Sequence, residues 1–280
     1  MQLLPLPEGS EVHPTDPYDP VGAMPIGKWK GQAVDTSLKR PAKIVWEDDK
    51  QLLIANFRDG HQFHQAHIQK DGVDSVYFRI NRFPGPAGVT PAHTLLYFKM
   101  KHGSEIILEG ENNAQDLSHP HAVSDFVVST DFAAPKHAHF DLINGLAANF
   151  MTVTDFTSAY DYSLRGSDPN FQLEYIKLNL NDEQKNALLQ KAVHVSAERG
   201  YSYVYDTLLY NCTTAAFELL DKTLTYPVSV EPFVGSIFNV KDPVAGPSED
   251  GLLSRGLVDK TQDGKVQALW TGPNETLQDR

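Results

Sequence analysis

Strand-length apolar runs occupy the chain from Ala42 to about Leu180, and two helical stretches come only after them. That order constrains the fold more than any single motif does. Alternating β and α segments would build a parallel sheet through crossovers. Strands gathered ahead of helices predict an α+β fold instead, with an antiparallel sheet packed against helices. The runs "KIVW" and "QLLIANF", split by "EDDK", predict a hairpin. "DSVYFRINRF" is a further strand, closed by "PGPAG". "HTLLYFKMK" and "SEIILEGEN", joined by "HG", read as the clearest hairpin in the chain. "SDFVVSTDF" and "FQLEYIKLNL" are strands, the second with alternating faces, while "FDLINGLAANFM" fits helix and strand equally.

The helical signals are sharper. "NDEQKNALLQKAVHVSAERG" has a capping residue in Asn181 or Asp182, apolar residues at helical spacing and a stop at Gly200. A second helix starts at Cys212 and runs to about Leu224. Residues 1–40 are rich in Pro, Gly and Asp and predict an extended N-terminal arm. The main domain is expected over 41–226, followed by a C-terminal extension, 227–280.

A net charge of −12 and a pI near 5.3 argue against general nucleic-acid binding and against attraction to an anionic membrane surface. No run approaches the roughly 20 apolar residues of a membrane-spanning helix. The opening "MQLLPLPEGSEVHP" lacks the basic flank and apolar core of a secretion signal. One cysteine excludes an intrachain disulfide.

That cysteine lies in "YNCTTAAFELLD". Asn211 is a good helix cap, so Cys212 falls in the first turn, where unpaired N–H groups and the helix dipole favour thiolate over thiol. A thiolate attacks acyl carbons, and the Cys212 N–H can face the oxyanion that forms. The bland alternative is a small buried hydrophobe. Among eleven histidines, His93 is the candidate base, because it opens a strand after the loop "PGPAGVTPAH". Its alternative is an ordinary hydrogen-bonded histidine.

Other chemistries have weaker support. "HQFHQAH" (His61, His64, His67) reads as a strand, which separates His64 from the other two. "HPH" (His119, His121) and "HAH" (His137, His139) fit no strong zinc pattern. Serine-hydrolase elbows and Gly-rich phosphate loops are missing from the sequence. The two acids of "EGEN" could form a glycosidase pair, but a solvated strand face is the better reading.

The stretch "YDTLLYNCTTAAFELLD" resembles the signature of the Lnb N-terminal periplasmic domain family. "LLIANFRD", "AHTLLYFKMKHGSEIILEGEN", "NGLAANF" and "FQLEYIKLNLNDEQKNALL" resemble further family segments in the same order, so the likeness covers about Ala42 to Tyr226. The resemblance implies a circularly permuted papain-like (NlpC/P60-like) fold in a periplasmic or secreted protein. It implies thiol acyl chemistry on an ester or amide of an envelope component: lipid, lipoprotein or cell-wall amide. Cys212 then matches the nucleophile, His93 the base and Glu111 the acid that orients it, with Glu109 as competitor two residues away. Tyr210, Asn211 and Thr213 border the site. Asn112 and Asn113 replace the basic residue that often follows the family's acid. No cofactor and no metal follow from this reading. A binding or scaffold module and a histidine-based metallohydrolase are the alternatives.

Overall fold

A computed structural model describes residues 28–29, 34–82, 92–110, 121–135, 138–139, 142–164, 172–226 and 245–271. In chain order the elements are β1 (Lys43–Glu47), β2 (Gln51–Asp59), β3 (Gln62–Gln69), β4 (Val73–Arg82), β5 (Ala92–Met100), β6 (Ile106–Gly110), β7 (His121–Val123) and β8 (Asp125–Ala133). There follow α1 (Leu142–Leu146), β9 (Phe150–Ser158), α2 (Ala159–Leu164), β10 (Gln172–Lys177), α3 (Asp182–Arg199), β11 (Val204–Tyr205), α4 (Cys212–Thr223), α5 (Ala245–Ser254) and β12 (Leu269–Thr271). The fold is mixed α/β, with a large sheet and several helices.

The strands form one twelve-stranded sheet in the order β12-β10-β4-β5-β8-β9-β2-β3-β6-β7, with β1 on β2 and β11 on β9. Its pairings are antiparallel except β2 with β9. Helices α3 and α4 cover one face over the centre of the sheet. Phe78, Leu96, Phe98, Phe126 and Val128 meet Leu188, Leu189, Phe217 and Leu220 there, all buried. The Phe217 ring lies tilted against Phe78, centroids 5.3 Å apart. Full burial of each such side chain contributes about 1.5–3 kcal/mol. The opposite face carries Leu95, Tyr97, Val127, Leu173 and Tyr175, roofed by Ala159 and Tyr162 of α2.

The hairpin of β1 and β2 forms as the sequence predicts. The expected hairpin at "HG" does not. Both strands exist, but β5 pairs with β4 and β8, while β6 pairs with β3 and β7. Gly103 turns the chain at φ +83°, yet the N–H of Lys101 goes back to the carbonyl of Gly72. Residues 94–98 of β5 are all buried, so the strand gains more from a long neighbour on each edge than from a local partner. The alternation expected for β10 also fails. Leu173 through Ile176 are all buried, because the sheet is covered on both faces there, and buried Glu174 pairs with Arg82 at 2.6 Å. The ambiguous stretch after residue 140 contains both candidates, a short helix and then β9.

The segment 34–41 runs across the sheet as a strap. Trp29 and Val34 pack in a cluster with Phe150, Met151 and Tyr205. In the "ANFRD" stretch of β2, Asn56 donates to Pro41 O at 2.9 Å and Arg58 donates to Leu38 O at 3.2 Å. Beyond residue 226, Leu252, Leu257 and Val258 enter the main core and β12 extends the sheet beside β10.

Candidate active site

The site begins with the cap of α4. Asn211 has extended backbone, and its side-chain oxygen accepts from the N–H groups of Thr213 (2.9 Å) and Thr214 (3.1 Å). The Asn211 N–H donates in return to Thr214 Oγ1 at 2.8 Å, completing a capping box. The side-chain amide of Asn211 donates to Thr207 O at 2.9 Å, and the residue is fully buried. The preceding turn is closed by reciprocal backbone bonds between Asp206 and Tyr210. Tyr210 reaches Glu218 at 3.0 Å, and Glu218 is gripped by both arms of Arg199 at 2.8 and 2.9 Å. Every link acts to hold Cys212 at the helix start.

The sulfur lies where two strands part. The β5–β8 ladder runs from Lys99↔Asp125 to Leu96↔Val128 and stops there, although β8 stays paired with β9 through Ala133. Thr94, just past the last pair, gives its backbone N–H to the Cys212 sulfur. The Thr94 hydroxyl donates to Thr213 Oγ1 at 2.9 Å. Cys212 is 2% exposed. A cavity of about 20 Å³ adjoins it, bounded in part by Thr94, Thr130, Thr154 and Ala216, with room for about one water.

His93 precedes Thr94 and projects to the opposite side of β5. Its imidazole and the thiol are hydrogen-bond partners. Nε2 stands 2.7 Å from Ser129 Oγ and 3.6 Å from Asp131 Oδ1. Because the Ser129 hydroxyl donates to Asp131 Oδ2 at 3.2 Å, its oxygen is left to accept from Nε2–H. With Nε2 so engaged, Nδ1 is the nitrogen left to meet the thiol. Lys39, on the strap, places Nζ 3.5 Å from Asp131 Oδ2. The Tyr162 ring lies nearly parallel to the imidazole, 6.5 Å away.

The electrostatics favour a charged pair. Burial alone would hold His93 neutral, but the charge of Asp131 and then that of Cys212 outweigh it and push the imidazole up to about 9. Burial pushes the thiol up too. The charge and hydrogen bond of His93 and the N–H of Thr94 more than reverse that, so the thiol falls below its ordinary value. Tyr205 is buried beside the same charges, and burial, Cys212 and Asp131 all raise its phenol.

The two residues expected to carry the chemistry, Cys212 and His93, thus come together, with Asn211 as cap, Thr213 against Thr94 and Tyr210 on the Arg199–Glu218 pair. Glu111 lies outside the described residues. Glu109 is not beside His93: β8, β9, β2 and β3 lie between β5 and β6 in the sheet, and Glu109 pairs with His67 Nε2 at 3.4 Å. The carboxylate that faces His93 is Asp131, with Ser129 between them, and neither was singled out from sequence. The strand that brings a carboxylate to His93 is β8, the neighbour of β5, and not β6, which follows β5 in the chain. The pattern Ser-x-Asp in "VVSTDF", which puts both polar groups on one face of a strand, was the available signal.

His64 bonds to the carbonyls of Asp59 and Glu109, His61 pairs with Asp161 at 3.1 Å, and His121 pairs with Asp59 at 2.8 Å. His139 is exposed, and His119 and His137 lie outside the described residues. Among the described residues no three His, Cys, Asp or Glu side chains gather as metal ligands, and no helix is long and apolar enough to cross a membrane.

No curated protein and no solved structure matches the chain. One family model does, that of the Lnb N-terminal periplasmic domain, over residues 61–233. The match spans more than half of the chain and includes His93, Ser129, Asp131 and Cys212 alike. On that match the chain belongs to the Lnb N-terminal periplasmic domain family.

Proposed function

We propose that this protein is a thiol-dependent acyl-transfer enzyme acting on an ester or amide of a bacterial envelope component. One observation carries the reading: the single cysteine, at a capped helix start, meets a histidine whose other nitrogen is held by a serine and an aspartate. A merely space-filling cysteine has no use for that arrangement. The family description supports a periplasmic setting. The order of a strand-borne His93 before a helix-borne Cys212 supports a circularly permuted papain-like arrangement.

Cys212 rests as thiolate and His93 as imidazolium. The thiolate attacks the carbonyl carbon, and the N–H of Cys212 stabilises the oxyanion. His93 gives its proton to the departing alcohol or amine, leaving an acyl thioester on Cys212. Water or an acceptor amine then attacks the thioester while His93 takes its proton, and the carboxylic acid or new amide leaves with thiolate and imidazolium restored. Ser129 and Asp131 keep Nδ1 directed at the sulfur and stabilise the imidazolium.

The test is a panel of phospholipid, lipopeptide and peptidoglycan-amide substrates, with intact-mass detection of an acyl adduct. The adduct is expected on Cys212 and missing in Cys212→Ala. Full turnover by purified Cys212→Ala would sink the mechanism.

A further inference from the structure

Arg58, Arg82, Arg199 and Arg255 are buried or largely so, and each has a carboxylate within 2.6–3.3 Å: Asp161, Glu174, Glu218 and Asp221. Arg79 is 2% exposed, less than any of them, and has none among the described residues. Its Nε donates to Asn81 Oδ1 at 2.8 Å. Its guanidinium lies over the rings of Tyr162 at 5.3 Å and Tyr175 at 5.2 Å. The ring contacts offset part of the cost of burying the cation, and among the described residues neither Nη group meets an acceptor.

Position gives this cation a purpose. Asn81 is the ladder partner of His93, and Arg79 pairs with Leu95, so Arg79 and His93 project from the same face of the sheet. The bond to Asn81 draws the guanidinium along β4 toward His93. Tyr162 lies near both, its ring 6.5 Å from the imidazole and 5.3 Å from the guanidinium. In a chain of net charge −12, an anion reaching the site needs a local cation, and this one is already desolvated and oriented.

We infer that Arg79 is the recognition cation of a phosphate-binding subsite beside Tyr162, which holds the phosphate or phosphodiester of a ligand while its acyl group lies at Cys212. The two Nη groups supply the fork that matches phosphate oxygens, and Tyr162 and Tyr175 keep that fork in one orientation. The subsite's role in catalysis rests on the thiol reading, but its capacity to bind an anion does not.

The experiment is calorimetric titration of Cys212→Ala protein, which takes turnover out of the measurement. The probes are inorganic phosphate and dihexanoyl phosphatidylglycerol below its micelle concentration. Saturable binding is expected, and Arg79→Gln should weaken it by about tenfold or more, the loss of charge-assisted hydrogen bonds. Arg79→Lys, which keeps charge and loses the fork, should fall between. Tighter binding of the lipid would place the phosphate on an acyl-bearing lipid. Tighter or equal binding of inorganic phosphate would assign the subsite to free phosphate species. No saturable binding of either probe to the parent protein overturns the inference whether or not Arg79→Gln folds, and so does unchanged affinity in either Arg79 variant. Histidine-dependent alkylation of Cys212, measured separately on the wild type, tells a failed subsite from a failed thiol reading.

Discussion

Asp131 lies 3.6 Å from Nε2 of His93, on a strand that has stopped pairing with β5 before the two side chains meet. The parting of β5 and β8 lets the thiol in from the helical side and the carboxylate in from β8. One imidazole then answers both. A continuous ladder would have committed the Thr94 N–H to a neighbouring strand rather than to sulfur.

The charged pair predicts the pH dependence of Cys212 alkylation by iodoacetamide. In the wild type the rate should reach its plateau below the ordinary thiol value of about 8.5, because His93 stays protonated up to about 9. In His93→Ala, burial and the charge of Asp131 remain, both of which raise the thiol. The inflection should then move above about 8.5. A wild-type profile like that of a free thiol, unchanged by the mutation, would remove the basis for the ion pair.

Asp131→Asn should lower the His93 titration from about 9, since Asp131 is the first of the charges that raise it. Ser129→Ala should keep the charge and lose the 2.7 Å bond, so it should disorder the imidazole more than it shifts its titration. Proton NMR of the His93 ring, followed against pH in both variants, separates the two effects. Acyl transfer should drop in each, by about 10²-fold or more for Asp131→Asn, the scale of impaired acid–base catalysis.

Asn211→Ala removes both cap acceptances and the bond to Thr207 O. The expected loss is about 1–2 kcal/mol in urea unfolding, with slower alkylation of Cys212 as the helix start loosens. Unchanged alkylation at reduced stability would show that the cap serves folding alone.

Glu218→Gln tests the latch behind Tyr210. Burial would raise the Glu218 carboxyl, but bonds from Arg199 and Lys222 dominate and lower it to about 2. Its folded value lies below the unfolded value of about 4.3, so the stability it adds is fully present above about pH 4.3 and is lost as pH falls toward about 2. Thermal unfolding of the wild type should therefore approach that of Glu218→Gln across that window. Near neutral pH the variant should be less stable by about 1.5–3 kcal/mol, the range for hydrogen bonds to charged groups.

Much of this was legible in the residues because it is local. The cap at Asn181, the stop at Gly200 and the cap at Asn211 each depend on side chains within a few positions of the backbone they satisfy. The β1–β2 hairpin closes over a short turn. Family membership followed from a contiguous motif around Cys212, and the pairing of Cys212 with His93 followed from the resemblance.

What the sequence by itself could not determine was which strand lies beside which. The partner of β5 was expected in the next strand along the chain and is instead β8, with β6 moved to the far side of β3. Strand neighbours are chosen by burial summed over whole faces, a quantity no local window contains. That choice brought Asp131 and Ser129 to His93 and sent Glu109 to His67. It also left Arg79 among tyrosines, the most buried of the described arginines. Charge and hydrogen-bonding capacity are written in residue types, but whether a charge is answered depends on the tertiary packing around it.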